Sequence, residues 1–416
     1  MKKTHFWFAG LAMFFCAGSL LFSWYLQSSA KGIIEQSKVL YGLVFSAEKD
    51  GSVAEQTKVI KAKSSFCKAL AGVPYAEDLG ILKSVRRITI ADAFAPHNAS
   101  IVEDGDGYLL FFRYDVKEKK QIAGVDTPFK QKIAFYGKKM PYRTFIGAVR
   151  LDKEFKQSAP VQKIDTHSDF SEDPRGFRAG EKLYLSYNDM QKSLLYSRTM
   201  HLAEIDPYTL ETQFVLDIDQ HIQHVDQVKH IEKNWVPFVR QEETGERKIY
   251  FEYGINPHKI LRMKEPNQNE MDHLIFPHTI AFQKTPWKIK WGGFRGGTPA
   301  KRIGNQYLAF FHTLFYEKKI PWYVMGAYTF EANPPYRITA ISQTPILFKG
   351  IYDTKTKNTA HSKKKTIYPA GMVLGQEEGK DVVYVSCGEN DCEIKLLTFD
   401  QESLLNSLAP IPLYQD

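Results

Sequence analysis

The sequence is short of the features that mark several common classes. It has four cysteines among 416 residues. They fall neither at zinc-ligand spacing nor in the pattern of a disulfide framework. Cys16 lies in an apolar N-terminal run, Cys67 stands alone, and Cys387 and Cys392 are five residues apart. That last spacing leaves a hairpin disulfide open in an oxidising compartment and does not establish one. No Walker loop, zinc finger or RNA-binding aromatic motif occurs, which argues against a nucleic-acid partner. No metal-ligand cluster is evident. Beyond about Asp92, strong helical periodicity is missing as well.

What is present is apolar and aromatic. The chain is 43% hydrophobic and 13% aromatic, enough for a sizeable core and too much for a disordered chain. Tyr and Phe dominate the aromatics, which suits strands and also flat packing on sugar rings. The net charge of +8 is spread along the chain, with one dense patch at Lys363–Lys365. That patch reads as a solvated loop, with attraction to an anionic lipid or polymer as the other reading.

Lys2 and Lys3 precede an uncharged, largely apolar run from Phe6 to Leu26. Its length suits a single membrane span, and the preceding lysines favour an N-terminus-in orientation. Residues 1–30 are therefore expected to be a membrane anchor or signal segment, with the C-terminal domain exported to a periplasmic, lumenal or extracellular space. Ser28-Ser29-Ala30 offers a cleavage site, in which case the chain is secreted. Residues 31–90 read as a stem or lead-in, where Gly32–Tyr41 and Glu55–Leu70 fit short amphipathic helices.

Residues 91–416 carry five similar aromatic segments: Gly107–Arg113, Lys182–Tyr187, Lys248–Tyr253, Gln306–His312 and Asp381–Ser386. Each follows a polar or glycine-containing turn and reads as a strand. Their recurrence at roughly 60–75 residues suggests repeated sheets. Further strands follow several of them, as at Ile146–Asp152, His201–Asp206, Met325–Glu331 and Lys395–Asp400. The expected fold is all-β, a five-bladed propeller, because radial repetition leaves few exposed sheet edges. A β-sandwich is the alternative. In a propeller the five segments would be inner strands, and chemistry would sit at the turns entering them.

Polar motifs lie near those places. Ser171-Glu172-Asp173-Pro174-Arg175 puts acids beside a guanidinium, which can orient a hydroxyl or manage a proton. A surface turn with a salt bridge would look the same. Asn98 can bond a sugar ring, and it also opens an Asn-Ala-Ser sequon. Lys233-Asn234-Trp235 offers polar groups beside a ring that is either core or sugar platform. His258 after Asn256-Pro257 is a candidate that a structural histidine would mimic. Arg295-Gly296-Gly297 combines an anion-holding group with close backbone approach. Gly388-Glu389-Asn390-Asp391 closes the series.

Taken together these motifs resemble glycoside hydrolase family 130, the β-mannoside phosphorylases, and the related β-1,2-mannosyltransferases. The resemblance runs from about Asn98 to Asp400 and includes Gly-Gly-Thr-Pro, Met325-Gly-Ala, Pro345-Ile-Leu and Tyr368-Pro-Ala-Gly371. It implies Asp173 as the catalytic acid or, in synthesis, the base. It also implies that Asp391, Asn98 and Arg113 bind substrate. The residue patterns themselves add Glu172, Arg175, Lys233, Asn234, Trp235, His258 and Arg295 as candidate substrate-binding residues. No cofactor or metal is implied. Phosphate, mannose-1-phosphate or nucleotide-mannose would be co-substrate. Phosphorylases of this family carry a His-Arg pair after the third inner strand, where this chain reads Tyr253-Gly-Ile-Asn-Pro-His258. The favoured expectation is a membrane-anchored mannosyltransferase acting with inversion on β-mannosides. A phosphorylase or hydrolase comes second, and a non-catalytic glycan-binding propeller is the rival of another class.

Overall fold

The structure is a computed structural model that describes residues 67–412 apart from 94, 118–133, 136–137, 140–141, 191–197, 219–231, 265–270, 279–284 and 356–363. The expected anchor or signal segment and the expected helix at Gly32–Tyr41 lie outside the described residues, as does most of the helix expected at Glu55–Leu70. Of that second helix only Lys68–Leu70 is described, and it is a single 3-10 turn. Among the described residues no helix is long and apolar enough to cross a membrane.

The fold is an all-β five-bladed propeller. Blade 1 contains strands His97–Asp104, Gly107–Lys117, Tyr142–Leu151 and Gln162–Lys163. Blade 2 contains Ser171–Ala179, Lys182–Met190, Arg198–Ile205 and Thr212–Asp217. Blade 3 runs Val236–Gln241, Arg247–Ile255, His258–Met263 and Met271–His278. In blade 4, Phe294–Gly296 and Lys301–Ile303 both pair with Gln306–Glu317, which pairs with Ile320–Glu331. Ile338–Ser342 and the C-terminal Leu408–Pro410 complete that sheet.

Blade 5 closes the ring. Its strands Ile367–Glu377, Lys380–Glu389 and Glu393–Asp400 are joined on the outside by Leu82–Ile88, with Ile88 opposite Ile394 and Val85 opposite Leu397. Residues 82–88 were expected in the stem, and they form an outer strand instead. Pairing the N-terminal strand with the last blade leaves the ring no loose junction.

The five aromatic segments are second strands, one position further out than the sequence reading placed them. Second strands are covered on both faces by neighbouring blades. Leu109, Leu110, Phe111 and Phe112, four consecutive residues, are all buried. That double burial produces a near-continuous apolar run. The innermost strands face the axis and carry polar residues, so their sequence is quieter.

Those inner strands begin at one end of the propeller, here termed the upper end. Three of them start irregularly. Register slips between His97 and Ser100, between Glu172 and Arg175, and between Pro369 and Gly371. At the first two bulges Asn98 and Asp173 adopt left-handed backbone conformations, with φ of 49° and 55°. Asn and Asp tolerate that region better than most residues, and bulges re-aim side chains beside sites. Gly388 is required beside the first bulge, because a Cβ there would overlap the backbone of Asn98.

Candidate active site

Asp173 sits at the start of the inner strand of blade 2, within Ser171–Ala179, and is buried. Asn98 of blade 1 donates from Nδ2 to Asp173 Oδ1 at 2.8 Å. Arg113 Nη1 lies 3.9 Å from the same oxygen. Burial alone would raise the Asp173 carboxyl. Arg113 opposes it most strongly, then Arg175, the Asn98 hydrogen bond and Lys233, and the net direction is below the usual carboxylate range. In the unliganded protein Asp173 is therefore ionised at neutral pH. A carboxylate in that state accepts a proton and has none to give.

Arg175 does not form the surface salt bridge that the sequence allowed. It is fully buried and holds four blades together at the upper end. Its Nε donates to the Gly297 carbonyl at 2.6 Å and its Nη2 to the Gly296 carbonyl at 3.1 Å. Nη2 also donates to the Tyr368 hydroxyl at 2.8 Å, and Nη1 to the Asp173 carbonyl at 3.2 Å. Tyr368 in turn donates to Asn234 Oδ1 at 3.0 Å. The close approach expected of Gly296 has a physical basis, since a Cβ there would overlap the Asn234 carbonyl.

Glu172 points to a second guanidinium. Arg198 makes two contacts with it at 3.0 Å, and Arg113 Nη2 makes a third at 3.0 Å. Arg113 also reaches Asp115 at 3.5 Å. A chain of alternating charges thus runs Arg198–Glu172–Arg113–Asp173.

Asp391 is buried at the blade 5 hairpin, with φ of 50°. Its carboxylate pairs with Lys364 at 3.3 Å and contributes to the field on Arg113. Burial would lower the Lys364 amine, Asp391 and then Tyr323 oppose this, and the net direction is upward. Beside it, Asn390 Nδ2 donates to the carbonyls of Tyr352 and Thr354 at 3.2 and 2.8 Å, and its Oδ1 accepts from Thr366 N at 3.0 Å. Glu389 accepts from Tyr352 N at 2.6 Å. These bonds fix the position of Asp391. Lys365 donates to the Tyr352 carbonyl at 3.2 Å. The described part of the Lys363–Lys365 patch therefore turns inward and is not a purely solvated loop.

Around Asp173, Arg175 is spent on carbonyls and Tyr368, whereas Lys233 and Arg295 have neither a carboxylate partner nor a side-chain hydrogen bond among the described residues. Lys233 keeps solvent contact. The surrounding protein still strips enough water from its amine to lower its pKa, opposed by Asp173 and Glu172 and helped by Arg198 and Arg295. Arg295 pairs in register with His312. Burial first, then Arg175 and Arg295, holds His312 well below its usual pKa, so the ring is neutral. Its Nδ1 is buried without a protein partner. Unpaired cations of this kind suit an anion such as phosphate.

The structural comparisons agree with this arrangement of strands. A β-1,2-mannobiose phosphorylase from Listeria innocua, solved with β-1,2-mannobiose, is 16% identical with a TM-score of 0.50, over 80% of this chain and 98% of that one. A mannose phosphorylase from Leishmania mexicana, solved with phosphate, is 10% identical with a TM-score of 0.50, over 82% and 96%. The chain shares the fold of these two proteins. By sequence, no family profile and no curated protein matches the chain.

On that fold, two expected substrate-binding residues fall elsewhere. Trp235 is fully buried, bonds Glu232 through Nε1 at 3.1 Å and packs edge-on against Phe251 and Tyr253. It is core and not a sugar platform. His258 is buried between blades 3 and 4. Its Nδ1 meets the Tyr336 carbonyl at 2.8 Å and its Nε2 meets Glu252 at 2.7 Å, while Tyr328 donates to both Glu252 oxygens. Both ring nitrogens are taken by protein, so none is left for a ligand. The Asn98 sequon is buried in the folded chain. Cys387 and Cys392 are both buried and are not bonded to each other, and their thiols face different carbonyls, of Lys395 and Lys355.

Sequence reasoning missed Arg198, Tyr368 as a hydrogen-bonding group, His312 and Lys364. Tyr368, Lys364 and His312 stood in segments already singled out. Arg198 joins the site only through strand register, which no local motif discloses, and register is also what sets His312 opposite Arg295.

Proposed function

We propose that this protein is an exported, membrane-tethered enzyme that transfers a mannosyl unit with inversion onto a glycan acceptor. The observation that carries the reading is the buried Asp173 carboxylate in the field of Lys233, with Arg295 nearby, two cations that have no carboxylate partner among the described residues. The solved proteins of this fold described above act on mannose compounds and were captured with mannobiose and phosphate, which supports a mannoside as substrate.

In the proposed step an acceptor hydroxyl oxygen bonds to the anomeric carbon of mannose-1-phosphate. The phosphate oxygen departs from the opposite face with the bonding pair. Asp173 receives the acceptor proton, directly or through a sugar hydroxyl. Lys233 and Arg295 would hold the departing phosphate. Phosphorolysis is the reverse reaction and needs a protonated donor at its start. The lowered Asp173 carboxyl fits the base that the synthetic direction needs, while the reactants present set which direction runs.

A product assay tests this, with α-mannose-1-phosphate and nucleotide-mannose as alternative donors and mannose oligomers as acceptors. Extension of the oligomer from mannose-1-phosphate is the expected result. Extension only from nucleotide-mannose would reassign the donor. Release of free mannose from β-mannosides without any transfer would replace the reading with hydrolysis.

A further inference from the structure

A corner of blade 4 unrelated to the sugar chemistry carries a combination that the proposed reaction does not use. Three segments meet there. The 3-10 turn Lys68–Leu70 is bonded to Glu317, whose two carboxylate oxygens accept from Lys68 N at 2.9 Å and Ala69 N at 3.1 Å. The 3-10 turn Ile289–Trp291 is bonded to the first segment through Trp291 Nε1 and the Ala69 carbonyl at 2.9 Å. It is bonded to the strand Gln306–Glu317 through Thr313 Oγ1 and the Trp291 carbonyl at 2.5 Å. The third segment is the hairpin tip that follows Glu317.

Lys68, Lys288, Lys290, Lys318 and Lys319 are all exposed here. Lys288 and Lys290 reach over the Trp291 ring at 5.8 and 5.6 Å. Glu317 is the sole acid in residues 67–73, 285–293 and 314–322, and its oxygens are already occupied. Four large apolar or aromatic side chains stand exposed among the described residues, and two of them, Ile289 at 74% and Tyr316 at 68%, lie in this corner. The hairpin tip is itself unusual. Lys318 and Lys319 both have positive φ, 50° and 64°, in a two-residue turn that Asn-Gly would satisfy with less strain. Two lysines there hold charge outward at a backbone cost, and such strain is concentrated at functional positions.

We propose that this corner lies against an anionic lipid surface, with Ile289 and Tyr316 entering the headgroup layer and the five lysines facing its phosphates. Apolar and aromatic tips ringed by lysines are the composition of an interfacial contact, and basic side chains near such a surface are drawn to acidic lipids. A soluble anionic polymer would use the lysines and leave the two apolar tips in water. Placement supports the same partner. The chain enters the propeller here, after 66 residues that include the apolar Phe6–Leu26 run. The strand Gln306–Glu317 continues five residues beyond His312, about 17 Å at strand rise, so the corner stands on the end that carries Asp173. A propeller seated this way would present its catalytic end to acceptors at the membrane. The contact goes beyond the N-terminal tether and does not depend on the sugar reaction.

Hydrogen exchange on the full chain tests it, with vesicles of phosphatidylcholine alone and of phosphatidylcholine with phosphatidylglycerol. Peptides covering residues 285–293 and 314–322 should exchange more slowly with the anionic vesicles. The combined change Lys288→Glu, Lys290→Glu, Lys318→Glu, Lys319→Glu should remove that protection, as should Ile289→Ser. The charge variant should keep its melting temperature and its turnover of soluble substrates, which separates lost docking from lost folding. Equal exchange in both vesicle types would overturn the proposal. So would equal protection by dextran sulfate without lipid, which would mark a polyanion site. Because exchange is read without turnover, a protein inactive on mannosides still answers the question.

Discussion

Asn98 donates a hydrogen bond from Nδ2 to Asp173 Oδ1 at 2.8 Å across two blades, and both residues hold left-handed backbone conformations to make it. The bond favours the charged carboxylate. Removing it in Asn98→Ala should move the Asp173 carboxyl upward, toward its ordinary value. Transfer in the synthetic direction requires the carboxylate, so the acidic limb of the rate profile should move to higher pH. The stability consequence has the same origin. A depressed carboxyl contributes stability above its unfolded pKa and loses that contribution as pH falls through its folded pKa. Asn98→Ala should therefore begin acid unfolding at a higher pH than the wild type. Unchanged profiles of rate and acid unfolding would show that the bond does not set the ionisation of Asp173.

Asp173→Asn keeps the size of the side chain and removes its capacity to take a proton. General acid–base catalysis is worth about 10²–10⁴-fold, and turnover should fall by a factor in that range. Calorimetry on the same preparation should find sugar binding retained. Wild-type turnover with normal binding would exclude Asp173 as the base.

Much of this was legible in the sequence for a reason that also explains the errors. Second strands are buried on both faces, so Gly107–Arg113 and its four counterparts are the loudest segments in the chain and reveal five blades. Inner strands alternate polar and apolar residues around bulges, so Ser171–Arg175 looked like a turn ahead of a strand and is the start of a strand. Arg113 and Asn98 could be placed by motif. Arg198 could not, because its tie to Glu172 exists only once blade 2 has paired. Trp235 sits beside Lys233 and Asn234 in sequence, but alternation along the chain sends it to the other side, away from the axis, and His258 opens the third strand of blade 3, further out than the inner strands that carry the site.

The Glu252–His258–Tyr328 cluster should behave as structure and not as substrate-binding machinery. The side chains of Glu252 and His258 are almost wholly shielded from solvent and meet at 2.7 Å. His258→Ala leaves a buried carboxylate short of a partner, a change that typically costs about 3–5 kcal/mol. Tyr328→Phe removes one donor and should cost less, about 1–3 kcal/mol. Denaturant unfolding measures both. At a temperature where the variants remain folded, KM for the mannosyl acceptor should match the wild type. A raised KM with unchanged stability would restore His258 to the substrate site.

The placement of the domain relative to the membrane rests on charge and apolar length. Lys2 and Lys3 precede the Phe6–Leu26 run, and lysines flanking a span are retained on the cytoplasmic side. The run is about the length that a bilayer core requires. Everything from the stem onward should then lie across the membrane from the cytoplasm. Protease added to spheroplasts should digest the propeller while a cytoplasmic marker survives, and sealed inside-out vesicles should protect the propeller. Replacing Lys2 and Lys3 with Glu should weaken the retained orientation and give a mixed population. A propeller protected in intact spheroplasts, or recovered with the cytoplasmic fraction, would reverse the assignment. It would also leave the mannosyl acceptor to be sought inside the cell, without altering the chemistry assigned to Asp173.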